Sequence, residues 1–309
     1  MNNKKIFVLM ACLFIIPIII CSCGGGETDG GDTEQDGITS DYAWGEQADI
    51  EVLDISACNP DHAWAVAGDK MYFFDGSTWT QRVEPQAIVG NVFCLDPEHS
   101  WASGETGTIY FYDGFLWGNQ RMTSEPINDI SGTDPEHVWA AGGEGTIYFF
   151  DGNEWTKQHE GDVGFDAVFA LDNQHVWAAT NNAIYFYDGN AWAVQDGTLG
   201  AHGISGVDAN NVWAVQDASI YYFDGTSWNE QFKIEREVPT EKSIAVMQDI
   251  SAVDRSHVWS IGEFLIYFYD GSSWKKQFES GGFNCIFALD DEYIWAGGRD
   301  AIYFVNKSE

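Results

Sequence analysis

Three aspartates, Asp54, Asp129 and Asp249, occupy the same place in a pattern that recurs along the chain, where the other copies carry Asn91, Ala167, Gly203 and Cys285. Carboxylates at one mouth are the donors a hard cation such as Ca²⁺ takes, because it wants several oxygen ligands. Calcium is the one cofactor the sequence brings up; otherwise none is expected and no metal site is assigned. A histidine recurs as well, at His62, His99, His137, His175 and His257, with Asn211 and Tyr293 in the two remaining copies. Metal ligands must converge within a few ångströms, whereas residues repeated once per copy face alike and stay apart. The histidines are therefore expected to serve a turn. So is the acid three positions earlier (Asp96, Asp134, Asp172, Asp208, Asp254 and Asp290, with Asn59 in the first copy). Lys233, Arg236 and Lys242 fall within ten positions of one insertion, Phe232 to Met247, and make it the first place to look for a bound partner. No Gly-x-Ser-x-Gly, HExxH or phosphate loop occurs, so no catalytic residue is assigned.

The elements that carry these residues follow from Asp129 to Gln158, DISGTDPEHVWAAGGEGTIYFFDGNEWTKQ. Four short apolar runs rich in aromatic and β-branched residues are separated by clusters of Gly, Pro and Asp, which reads as four strands. Two tryptophan columns set the register. The first is Trp64, Trp101, Trp139, Trp177, Trp213, Trp259 and Trp295; the second is Trp44, Trp79, Trp117, Trp155, Trp192, Trp228 and Trp274. Together they use all 14 tryptophans of the chain, so every one belongs to the repeat. Asp-Gly follows the aromatic third run six times, and this pair is the strongest local hairpin signal because Gly supplies positive φ cheaply. The columns are expected to pack one small sheet against the next, since a four-stranded sheet cannot bury both faces alone.

The ends decide how the units are arranged. Asp41 to Gln47, DYAWGEQ, matches the fourth run of a unit, whereas the last unit stops after its third run, Ala301 to Asn306. An orphan strand at one end that completes the unit at the other is what a closed ring needs and a linear solenoid does not. The sequence thus predicts an all-β protein, a seven-bladed β-propeller of four-stranded antiparallel blades over residues 41–309. Val138 to Gly152, VWAAGGEGTIYFFDG, resembles repeats of bacterial lipoproteins that carry WD40-, YVTN- or BNR-like propellers. The chain lacks the Trp-Asp ending of a true WD40 repeat and the D-x-D-x-D-G loop of calcium propellers, and its few arginines do not suit the arginine triad of sialidases.

Residues 1–22 read as a lipoprotein signal peptide. Lys4 and Lys5 precede an apolar run, Ile6 to Ile20, too short to span a membrane comfortably. Ile20-Cys21-Ser22-Cys23 fits a lipobox, with Cys23 as the lipid attachment and Cys21 the weaker choice after bulky Ile20; Gly24 suits outer-membrane sorting. Residues 23–40 are acidic and Gly-rich, a composition that cannot order itself and reads as a flexible tether. Without Lys4 and Lys5 the chain holds 12 basic against 48 acidic residues, which argues against nucleic acid or an anionic lipid surface as partner. The acidity is read as a solubility device, with cation binding or a basic partner as the alternative. Cys58, Cys94 and Cys285 lie in or beside first runs, and a Cys58–Cys285 bridge across the closure is considered, against buried free thiols.

The expected function is a non-enzymatic protein-binding or scaffold module, monomeric and held at the bacterial cell envelope by its lipid. The alternative is an envelope glycan-binding or glycan-active propeller, a lectin or a hydrolase or lyase, working at the central channel mouth around Asp54, Asp129 and Asp249.

Overall fold

The computed structural model describes residues 42–83, 88–234, 246–262 and 264–306. The described residues contain 28 strands, gathered into seven four-stranded antiparallel sheets, and no helix. Blade one shows the plan: Asp54–Asn59, His62–Ala67, Lys70–Phe74 and Trp79–Val83, paired in chain order. Blade seven departs from it as expected. Its first three strands are Phe283–Ala288, Ile294–Gly298 and Ile302–Asn306, and its fourth is Ala43–Ala48 from the other end of the chain, with Trp44 opposite Val305.

Each blade buries its faces against its neighbours, and the tryptophan columns are the means. The second-strand Trp of one blade and the fourth-strand Trp of the next lie in one apolar layer: Trp101 with Trp155, Trp139 with Trp192, Trp177 with Trp228. The same layer closes the ring, where Trp295 of blade seven packs with Trp79 of blade one. The second-strand tryptophans are at most 2% exposed. Burying an aromatic side chain of this size contributes roughly 2–3 kcal/mol or more, so these seams carry much of the fold's stability. Alanines beside six of the seven second-strand tryptophans, such as Ala140, are fully buried and let neighbouring sheets approach, with buried Ser260 in the same place after Trp259.

The turns follow from the repeat. In blade three Asp151 Oδ1 accepts hydrogen bonds from the N–H groups of Asn153 and Glu154, both at 2.9 Å. Gly152 sits at φ +89° in the left-handed region, and a Cβ there would meet Glu136 in the turn between strands one and two. These two turns therefore share one face of the ring. The opposite face holds the turns between strands two and three and the connections between blades: the N–H of Val89 donates to the carbonyl of Gly68, and that of Ala201 to Thr180.

Candidate functional site

The innermost strands hold the three aspartates. Asp54 accepts from the N–H of Ile55 in its own strand and of Val92 in the next blade, both at 2.8 Å. Asp129 does the same with Ile130 and Val168, and Asp249 with Ile250 and Ile286, at 2.8–2.9 Å. Each carboxylate uses one oxygen at home and one across the seam, so it is an inner clip between blades. Ser56, Ser131, Ser205 and Ser251 add a second clip two residues on, each Oγ accepting from a first-strand N–H of the following blade at 3.0 Å. Loss of water around Asp129 and Asp249 pushes their carboxyls up to about 7, against the two backbone N–H groups that favour the charged form. Asp54 is likewise raised by burial and, more weakly, by repulsion from Asp249 and Asp129.

The histidines serve their turns. His99, His137, His175 and His257 set Nδ1 2.8–2.9 Å from Asp96, Asp134, Asp172 and Asp254, and each acid also caps backbone N–H groups of the turn. Blade one breaks the pattern because Asn59 stands where the acid would be. His62 has no carboxylate clamp; its ring lies edge-on to Phe73 at 4.7 Å, and its buried Nε2 has no hydrogen-bond partner. Burial pushes its imidazole below the usual range. Beside it Cys58 Sγ lies 2.7 Å from Cys94 Sγ. This corrects the pairing considered across the ring closure: Cys58 faces blade two, while Cys285 is buried with Val52, Ile55 and Trp295 at the seventh seam. Among the described residues Cys58, His62 and Cys94 form the one group of three metal-ligating side chains within 4.8 Å of each other. Two thiolates on one zinc sit about 3.8 Å apart, so the sulfurs would have to separate before an ion entered.

Lys233, at the end of blade five's fourth strand (Trp228–Lys233), is exposed and 3.8 Å from Glu230. The described ends of its insertion are pinned to the turn before it, through Ile234 N–H to the Ala218 carbonyl. Arg236, Lys242 and Cys23 lie outside the described residues.

A further column emerges only in three dimensions. The fourth strand places Gln three residues after its Trp, and that amide oxygen accepts from two indoles, one in its own blade and one in the next. Gln120 takes Trp101 at 3.1 Å and Trp155 at 2.8 Å. Gln158, Gln195 and Gln231 bridge their own pairs at 2.9–3.3 Å. Gln47 ties Trp295 to Trp79 across the closure. Between blades six and seven Gln277 is buried but forms no hydrogen bond to Trp259 or Trp44; an amide still carries an acceptor there.

Between blades one and two the residue is Arg82, which has none. The buried Nε1 groups of Trp64 and Trp117 lack a partner, and the two rings stand edge-to-face at 5.1 Å. They line a cleft of about 480 Å³ with Arg82, Tyr112, Phe115 and Leu116. The Arg82 guanidinium lies 5.4 Å from the centre of the Phe73 ring. The turn supplying Phe115 and Leu116 is also unlike its counterparts, which read Ser-Thr, Asn-Glu, Asn-Ala, Thr-Ser and Ser-Ser. Phe115 is 90% and Leu116 62% exposed. Blades one and two thus gather four departures from the repeat: Asn59, the Cys58–Cys94 pair, Arg82 and the Phe115-Leu116 turn.

No protein-family model matches the chain, and no curated protein matches it in sequence. Solved structures match its shape. A YCF48 bound to D1 peptide is 15% identical, with a TM-score of 0.69, covering 88% of this chain and 96% of that one. A streptogramin B lyase is 13% identical, with a TM-score of 0.72 over 86% and 97%. The WD40 propeller domain of Doa1 is 12% identical, with a TM-score of 0.69 over 87% and 98%. At such identities the likeness shows the fold alone, a β-propeller.

Proposed function

We propose that the chain is a lipid-anchored propeller of the bacterial cell envelope that binds another protein and performs no chemistry of its own. The observation that carries this reading is where the repeat breaks. The inner aspartates, the groups best placed to act at a channel mouth, spend both oxygens on backbone N–H groups of adjacent blades. Two of the departures, Arg82 and the Phe115-Leu116 turn, instead give the outer part of the seam between blades one and two an apolar, solvent-exposed rim, the kind of surface proteins use to meet each other. Among the structural neighbours, one YCF48 was solved bound to a peptide. The second reading is an envelope glycan-binding or glycan-active propeller; a streptogramin B lyase of the same fold speaks only for a propeller that carries out chemistry, not for a glycan. Cys23 would hold the lipid, and Cys23→Ser is expected to move the protein from the membrane to the soluble fraction. Affinity capture from envelope extracts, with residues 41–309 as bait, is expected to retain a specific protein. Capture of none, together with turnover of an envelope glycan by the purified ring, would overturn the reading.

A further inference from the structure

The geometry points to a carboxylate-binding site in the seam between blades one and two, made by Arg82 with the indole N–H groups of Trp64 and Trp117, and fitted to a peptide carboxylate beside an apolar residue. This deepens the protein-binding reading and rests on it. At five of the seven seams a glutamine oxygen occupies the point where two indole donors converge. At this seam the donors remain and the acceptor is gone. Trp64 is 2% exposed and its Nε1 has no partner. A buried donor without an acceptor is costly, and no rotation makes a guanidinium accept. What is missing has to come from outside, and the replacement of Gln by Arg specifies that it be anionic.

One planar cation with two further N–H donors matches a carboxylate, whose two oxygens accept a fork of hydrogen bonds. A polyanion fits poorly, because a single arginine faces it on a chain with 48 acidic residues against 12 basic ones after the leader. The cation–π contact with Phe73 keeps the guanidinium over that ring. Phe115 and Leu116, exposed on the cleft rim where other blades place small or polar residues, give the neighbouring apolar side chain something to cover. A chain terminus and an Asp or Glu side chain share this chemistry.

The test uses the closed ring, residues 41–309, and three short acetylated peptides: Phe-Leu as free acid, Phe-Leu as amide, and Phe-Glu as amide. Indole N–H resonances are followed by NMR, with Trp64→Phe and Trp117→Phe assigning the two signals. The free acid is expected to shift those two signals and few others, while the Phe-Leu amide leaves them in place. A response to the Phe-Glu amide assigns side-chain carboxylates to the site as well; its absence restricts the site to chain termini. Arg82→Gln is expected to weaken the acid by at least about tenfold, and Phe115→Ser with Leu116→Thr to weaken it less. Equal response to acid and amide, no response to either carboxylate, shifts mapped to other indoles, or full binding by Arg82→Gln would each overturn the site. If Arg82→Gln still captures the same envelope protein as the wild type, the protein-binding reading stands and this site falls. If the peptide acid binds but envelope capture retains nothing, the site stands and the partner reading falls.

Discussion

The seam between blades two and three and the seam between blades one and two have the same strands, paired tryptophans and facing turns. In the first, Gln120 closes the donor pair with two hydrogen bonds. In the second, Arg82 leaves the pair open and adds a third donor. One residue at one register position converts a structural clamp into an unfilled receptor. In a ring of repeats most side chains answer to packing, so a function is best sought where a column changes chemistry rather than where a reactive residue recurs.

The harshest way to break the comparison is to remove a clamp with its strand. Deleting residues 41–49 takes away blade seven's fourth strand, buried Tyr42, and Gln47 with its bonds to Trp79 and Trp295. The expected outcome is a fall in Tm of more than about 10 °C or loss of soluble protein, since many kcal/mol of burial goes with it; thermal denaturation followed by circular dichroism reads it. Next comes the loss of one acceptor. Gln120→Ala leaves two buried indole donors unpaired and should cost about 2–5 kcal/mol in denaturant unfolding.

The inner clips respond to pH. Asp129 and Asp249 have folded values near 7, above the ordinary carboxyl range. Between about pH 4 and 7 the folded state therefore holds more protons than the unfolded chain, and stability falls as pH rises, by up to roughly 1.4 kcal/mol per unit for each group. Tm is expected to be several degrees lower at pH 8 than at pH 5, as a scan of unfolding against pH will read. Asp129→Asn together with Asp249→Asn should flatten that slope; a slope unchanged in the double variant would place the titration elsewhere.

The mildest change sharpens the comparison most. Arg82→Gln restores the acceptor and gives up the contact with Phe73, so it is expected to stabilise the ring by about 1–2 kcal/mol, a Tm rise of roughly 2–4 °C, while weakening the peptide acid. A variant that gains stability as it loses binding is the signature of a site held open against the fold's own preference.

The repeat was legible because its signals are local. Trp, Asp-Gly and the aromatic triplet recur at spacings that any strand-turn-strand unit must keep, and Asp41 to Gln47 announced the closure by matching a fourth strand. The candidate site was legible only in part. Asp54, Asp129 and Asp249 lie on the first strands of their blades, but nothing in their spacing told that each would spend one oxygen on its own strand and the other on the next blade. Cys58 lies close in sequence to the closure, yet its sulfur meets Cys94, 36 residues on. Arg82 and the Phe115-Leu116 turn were not among the residues the sequence pointed to, because the Gln column that Arg82 interrupts gains its role only when a side chain of one blade reaches an indole of the next.

The sequence by itself therefore determined the strands, their turns and the number of blades, since these depend on side-chain period and turn chemistry within about 40 residues. Only the tertiary structure decided which donors were left without acceptors. Hydrogen-bond satisfaction at a seam is settled between residues tens of positions apart, by the angle at which one sheet meets its neighbour.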